Sequence, residues 1–175
     1  MLDLDAEVRT TVIHNGEGRV LEGGGSGTHF KLWSESTGAV LSIVEHPIDP
    51  GVLVPPHVHS REDQTSYVVE GAVNILVGED IFHCSPGSYV FKPRNIPHTF
   101  WNESSTPARL IEISTPGGVE RYMEGLFEMI ASGTATPETV GELAGRFGMT
   151  LLPDLGREIA RDRGLRVMGA PAAPS

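Results

Sequence analysis

From Val8 to Ser114 the apolar positions come in short runs rich in Val, Ile, Phe and Tyr, and each run ends at turn-forming residues. The pattern predicts strands over Val8–His14, His29–Ser34, Ala39–Glu45, Ser66–Glu70, Val73–Val77, Tyr89–Phe91, His98–Trp101 and Ala108–Ile113. Gly71, Gly78-Glu79-Asp80 and Ser85-Pro86-Gly87 stand where hairpin turns fall, and the stretch from Glu22 to Gly27 predicts a flexible loop. Many short strands with no helix between them indicate a sandwich or a barrel.

The period changes after Thr115-Pro116-Gly117-Gly118. Val119, Tyr122, Met123, Leu126 and Ile130 keep helical spacing, which predicts a helix reaching about Ala131. Thr136-Pro137-Glu138 is a helix start: a hydroxyl cap, proline in the first turn and an acid at the positive end of the dipole. Val140, Leu143, Ala144 and Phe147 then share one face, and a third helix is expected over Pro153–Arg163. The expected organisation is a β domain over residues 1–115, a helical cap packed on it over 116–163, and a flexible tail over 164–175. The chain has no internal repeat.

Length and composition narrow the class. At 175 residues the chain makes one domain, and 21 Gly with 13 Pro favour a turn-rich β protein over a helical bundle. A net charge of −10 argues against nucleic acid and anionic lipid as partners, because both are bound through basic patches. Cys84 is the one cysteine, so an intrachain disulfide is excluded. The acidic first residues do not look like a secretory leader, and no apolar run approaches the roughly 18–20 residues that span a bilayer. A soluble, cytoplasmic protein is expected. Homodimerisation is expected too, since the strand Val8–His14 would leave an unpaired sheet edge that a second copy can cover.

The chemistry gathers on three histidines. His57 and His59 are two apart in a stretch that Pro55 and Pro56 keep extended, so both imidazoles point to one face and can reach one metal ion. A His-x-His strand alone also recurs on solvated faces. The wider spacing is more specific: Gly51, His57, His59, Gln64 and Gly71 follow the first motif of the cupin superfamily, with Gln64 where glutamate is usual. Gly87, Pro93, His98 and Asn102 follow its second motif, with Asn95 where glycine is usual, and residues 72–86 separate the two. Over residues 40–115 the chain therefore resembles a single-domain cupin. More loosely, Arg61-Glu62-Asp63, Tyr67–Gly71 and the helical end resemble quercetin-dioxygenase-like bacterial cupins.

The resemblance implies a mainly β fold, a cupin jelly-roll β-barrel with a C-terminal α-helical extension. It implies His57, His59, Gln64 and His98 as metal ligands. Three imidazoles and one oxygen suit a divalent transition ion (Fe, Ni, Mn, Co, Cu or Zn) better than Ca or Mg, which prefer all-oxygen shells. The rival is a metal-free histidine cluster lining a sugar or aromatic pocket. The implied activity is a quercetinase-like dioxygenase on a small phenolic, enolic or aromatic substrate. The alternatives are a redox-neutral cyclase or isomerase of a polyketide-type pathway and a non-catalytic small-ligand-binding cupin.

Gln64 bears on that choice. Glutamine offers an acceptor oxygen but neither charge nor useful proton affinity, so a bound ion keeps nearly its full charge and the ligand cannot act as a base. Glu62, two residues earlier, is the candidate to supply the missing carboxylate as catalytic base or even as ligand; a solvated strand end or a salt bridge with Arg61 or Arg94 is its alternative. His14, His29, His46 and His83 lack mutual spacing and are expected to be surface or hydrogen-bonded residues. Tyr67, Phe91, Phe100 and Trp101 are expected to divide between core and surface, and Arg94 and Asn95 to lie at the rim.

Overall fold

The structure, a computed structural model, describes residues 11–169. Thirteen strands and three helices follow in order: β1 (Arg19–Gly23), β2 (Ser26–Leu32), β3 (Ser42–Ile48), β4 (Val52–Leu53), β5 (His57–His59), β6 (Asp63–Glu70), β7 (Val73–Val77), β8 (Asp80–Cys84), β9 (Tyr89–Lys92), β10 (His98–Trp101), β11 (Ala108–Thr115), α1 (Glu120–Ser132), α2 (Pro137–Arg146), β12 (Met149–Leu151), α3 (Pro153–Arg163) and β13 (Arg166–Val167).

One sheet has the order β1-β2-β3-β11-β6-β9. In the other, β10 is flanked on one side by β7 and then β8, and on the other by β4 and β5, with β12 outside β5 and β13 outside β4. Among the described residues no hydrogen-bonded ladder joins the two sheets. The expected closed barrel is therefore corrected to two facing sheets, the jelly-roll arrangement with open edges. The alternation of the central strands builds the space between them. On β6 the inward row is Gln64, Ser66 and Val68, and on β11 it is Ala108, Leu110, Glu112 and Ser114. Ile48, Val52, Val68, Val73, Ile75, Phe100 and Leu110 fill the apolar end of that interior.

Several expectations shift for identifiable reasons. Residues 8–10 of the strand expected at Val8–His14 lie outside the described residues, and Thr11–His14 are not strand. The sheet edge is β1 instead. The glycine-rich stretch is not a loose loop but the tight turn between β1 and β2. A Cβ on Gly24, at φ +65°, would come within 2.6 Å of the Gly169 backbone nitrogen, so the chain packs there as closely as glycine permits. The strand expected from Ala39 begins at Ser42, because Gly38 and Ala39 are both in left-handed conformation and close a short 3-10 turn. Within the expected tail, Arg166–Val167 pair in parallel with β4.

The three helices follow the sequence pattern closely. Thr136 caps α2, its hydroxyl accepting from the Thr139 N–H while Thr139 reciprocates, with Pro137 at the first position. α1 is tied down at its start by the buried Glu120 carboxylate, which accepts from the backbone N–H of Ser34 and of Gly118. Val119 and Tyr122 pack with Leu143, Ala144 and Met149, so α1 and α2 share a small core of their own. Leu155, Ile159 and Leu165 close over Leu53, Leu76 and Trp101 at the outer face of the second sheet. Among the described residues no helix is long and apolar enough to cross a membrane.

Candidate metal centre

β4 and β5 are one interrupted strand, broken at Pro55 and Pro56, which have no N–H to give to the ladder. Its second piece pairs with β10 so that His57 stands directly opposite His98. His59, two residues on, shares the face of His57. The three rings have centroids 4.6–5.4 Å apart, and one donor atom from each lies within 4.8 Å of the others. Gln64 reaches this cluster from the opposite sheet: its Oε1 lies 3.0 Å from His98 Nε2, and its amide donates to Ser114 Oγ at 3.1 Å. All four residues named by the spacing thus meet between the sheets.

Local backbone sets the orientation of two rings. His57 Nδ1 is 2.8 Å from the Pro55 carbonyl oxygen and His98 Nδ1 is 3.0 Å from that of Ile96, contacts that fix the Nδ1–H tautomer and leave Nε2 lone pairs facing inward. Asn95, where glycine was expected, has φ +65° and gives its N–H to the His59 carbonyl at 2.7 Å. Asparagine is among the residues that tolerate this left-handed geometry, so the turn leading into His98 is kept.

The electrostatics favour neutral rings. Burial, and then the neighbouring His59, pull His57 down to about 3. Burial, followed by His57 and Lys92, pulls His98 well below the ordinary imidazole range. Neutral imidazoles are the form that binds a metal. The fit of a transition ion rests on the polar atoms themselves. His59 is buried with both ring nitrogens lacking a hydrogen-bond partner, an arrangement that costs free energy unless something ligates it. With Nδ1–H of His98 committed to Ile96, Nε2 and Gln64 Oε1 present lone pairs to each other, which a cation between them reconciles.

Glu62 is placed differently from the ligands. It is buried, with Oε2 3.3 Å from His59 Nδ1 but poorly aligned for a hydrogen bond, and it does not line the cavity in front of the histidines. The salt bridges considered for it are absent: Arg94 pairs with Asp63 at 2.8 Å and Arg61 donates to the Arg146 carbonyl. Glu62 thus lies beside His59 Nδ1 and away from the cavity in front of the histidines.

The cavity in front of the histidines leaves about 70 Å³ open to the centre of a water-sized sphere, room for a few waters or a small molecule. Its floor is polar, with His57, His59, Gln64, Thr28, His46 and Glu112. Its roof is apolar, made by Val119, Tyr122, Met123, Leu126 and Phe127 at the start of the helical extension with Met149, Leu151 and Met168. Burial pushes the Tyr122 phenol up to about 12, so it stays protonated. Phe100 lines the cavity, whereas Tyr89 and Phe91 face solvent. Glu112, buried on β11, is paired with Lys92 of β9 and accepts from Ser66 Oγ. The sequence reading missed this pair. The signal was available in the inward row Leu110-Glu112-Ser114, which places a charge in the interior.

His46 is buried and hydrogen-bonded, its Nδ1 2.8 Å from the Gly27 carbonyl oxygen. His83 bonds to Asn74 Oδ1 at 3.0 Å, and Cys84 is buried in the apolar core.

Residues 45–114 match the family described as "Cupin domain". No curated protein matches the sequence. Among solved structures, KdgF from Halomonas sp. is similar at 22% identity and a TM-score of 0.57, over 65% of this chain and 99% of that one. An RmlC-like cupin from Shewanella frigidimarina is similar at 24% identity and 0.55, over 66% and 99%. The polyketide cyclase RemF from Streptomyces resistomycificus is similar at 19% identity and 0.54, over 61% and 80%. These likenesses extend to the fold. Residues 45–114 thus match the cupin-domain model and share the fold of these structures, and a helical extension follows them.

Proposed function

We propose that the protein is a metal-dependent enzyme catalysing a redox-neutral step, an isomerisation or cyclisation, on a small enolic, phenolic or ketonic molecule. One observation carries this reading: the oxygen that meets the three histidines is the amide Oε1 of Gln64, 3.0 Å from His98 Nε2, and not a carboxylate, so the donors a metal would find there are all neutral. His57, His59, His98 and Gln64 would hold a divalent ion, which would supply Lewis acidity toward a substrate oxygen, its charge little diminished by neutral donors. The residues of the chain do the rest. His57 and His98 are pre-oriented by their Nδ1 contacts, the two sheets bury His59, Gln64 and His98, and the apolar roof from α1 favours a ligand with hydrophobic surface.

A quercetinase-like dioxygenase is the competing reading. It needs a carboxylate able to take the substrate's proton, and Gln64 does not provide one. Substituting Gln64→Glu separates the two. For the redox-neutral reading, the native protein exchanges C–H hydrogens of enolisable ketones with deuterium from D2O, read by NMR, without oxygen uptake. The variant binds metal more tightly yet exchanges more slowly. Flavonol-dependent oxygen uptake by the native protein, or a gain of about 10²-fold on restoring the glutamate, overturns the redox-neutral reading in favour of oxygenation. Neither exchange nor oxygen uptake with several metals loaded leaves a binding protein.

A further inference from the structure

Lys92 and Glu112 are 1% and 2% exposed, and both lie on the inner face of the first sheet. Such a pair is seldom explained by stability, because well-packed apolar residues of the same size are commonly as stable or more so. Its position suggests another use. Glu112 is the one acidic residue among those lining the cavity in front of the histidines. In the ladder between β6 and β11, Ser114 stands opposite Gln64 and Glu112 opposite Ser66. Glu112 is therefore one inward position beyond the row of Gln64, a step of about 7 Å along the strand.

The carboxylate is held rigidly but not saturated. Oε1 accepts from Ser66 Oγ and Oε2 from Lys92 Nζ. A carboxylate has about four acceptor positions, so each oxygen keeps one. Lys92 also lies over the Phe100 ring, 5.6 Å from its centroid, and Phe100 lines the same cavity. At that end His46 Nδ1 donates to the Gly27 carbonyl and Thr28 Oγ1 lies 3.4 Å from the same nitrogen, so Glu112 is the one charged acceptor among the lining residues there.

The geometry points to Glu112 as a specificity-determining residue that accepts a hydrogen bond from a hydroxyl on the ligand, at the end remote from the oxygens facing His57, His59, His98 and Gln64. This rests on the metal-centred reading of the cavity and deepens it. The preferred ligand is bifunctional: oxygen donors at one end, an aromatic or otherwise flat apolar middle against the α1 roof, and an O–H at the other end. Lys92 and Ser66 act through Glu112, fixing the direction of its free lone pairs.

Benzohydroxamate and 4-hydroxybenzohydroxamate test this directly. They share the chelating group, and only the second has a hydroxyl across the ring, at about the required separation. Their dissociation constants are measured by calorimetry on the metal-loaded protein and compared as a ratio. The hydroxylated compound is expected to bind at least about tenfold tighter, the range of a hydrogen bond to a charged acceptor. Because Glu112→Leu alone strands a buried lysine, the decisive variant is Lys92→Met/Glu112→Leu, in which the ratio should fall to near one. A ratio near one in the native protein, or one that survives in the double variant, overturns the role of Glu112 while leaving the metal pocket standing. Binding of neither compound to the native protein overturns the metal-centred reading and this inference with it.

Discussion

Breaking the Lys92–Glu112 pair on one side should cost far more than removing it altogether. Glu112→Leu leaves the Lys92 ammonium at 1% exposure with no anionic partner, and removes the acceptor of Ser66 Oγ. Leaving one member of a buried pair uncompensated costs about 3–5 kcal/mol. The stranded serine adds about 1 kcal/mol. Set against a domain stability of roughly 5–15 kcal/mol, that is about a quarter or more of the total. For a chain of this size each kcal/mol lowers Tm by roughly 2–4 °C, so a fall of about 10 °C or more is expected. Lys92→Met/Glu112→Leu removes both charges and fills the space with apolar groups, and should lie within about 1–2 kcal/mol of the native protein. Urea unfolding of metal-free protein, followed by tryptophan fluorescence and circular dichroism, measures both variants on one scale. Equal losses for the single and double variants would refute the reasoning, since the penalty would then come from packing and not from an orphaned charge.

Three further outcomes follow from the site and its supports. Protein purified without chelator should hold close to one transition ion per chain by plasma emission spectroscopy, and His98→Ala should lose most of it; full occupancy in His57→Ala/His98→Ala would rule out the histidine cluster as the site. For pH, His57 has a folded-state value of about 3 against 6.5 unfolded, so the unfolded chain takes up the proton first. The contribution to metal-free stability is therefore complete above about pH 6.5 and falls by up to about 1.4 kcal/mol per pH unit below it, with His98 acting in the same direction. A urea midpoint that does not change between pH 7.5 and 5 would contradict this. Glu120→Ala removes the acceptor of two backbone N–H groups at the start of α1 and should cost about 2–4 kcal/mol, with faster hydrogen exchange at Ser34 and Gly118 as its local signature.

What was legible in the sequence was what depends on period and spacing. Val73–Val77 and His98–Trp101 were read to the residue, and the capping pattern Thr136-Pro137-Glu138 located α2. His57 and His59 were legible as a pair because a strand's two-residue repeat fixes which side chains share a face, and Gln64 and His98 through the resemblance to the cupin motifs; the structure brings all four together. What was not legible depends on contacts made from far along the chain. β13 has no strand period of its own and exists because it docks on β4. β8 was hidden because Ile81, Phe82 and His83 are all exposed, on an outer strand where burial imposes no alternation. Glu62 is a candidate carboxylate on its spacing to Gln64, but β6 begins at Asp63, so the strand repeat does not extend to it. Glu112 sat in plain view as a charged residue in an apolar alternation, a pattern that reads as solvent exposure until the opposite sheet is placed.

The match to the cupin domain ends at residue 114, yet the roof of the cavity begins at Val119. The histidine cluster with Gln64 and the helical roof over the cavity are thus encoded in separate stretches of the chain. Exchanging Met123, Leu126 or Phe127 reshapes what fits against the roof and leaves every motif position intact. Ligand preference in such an arrangement can diverge quickly while the motifs stay constant, so grafting 116–132 between related chains is a practical route to altered selectivity.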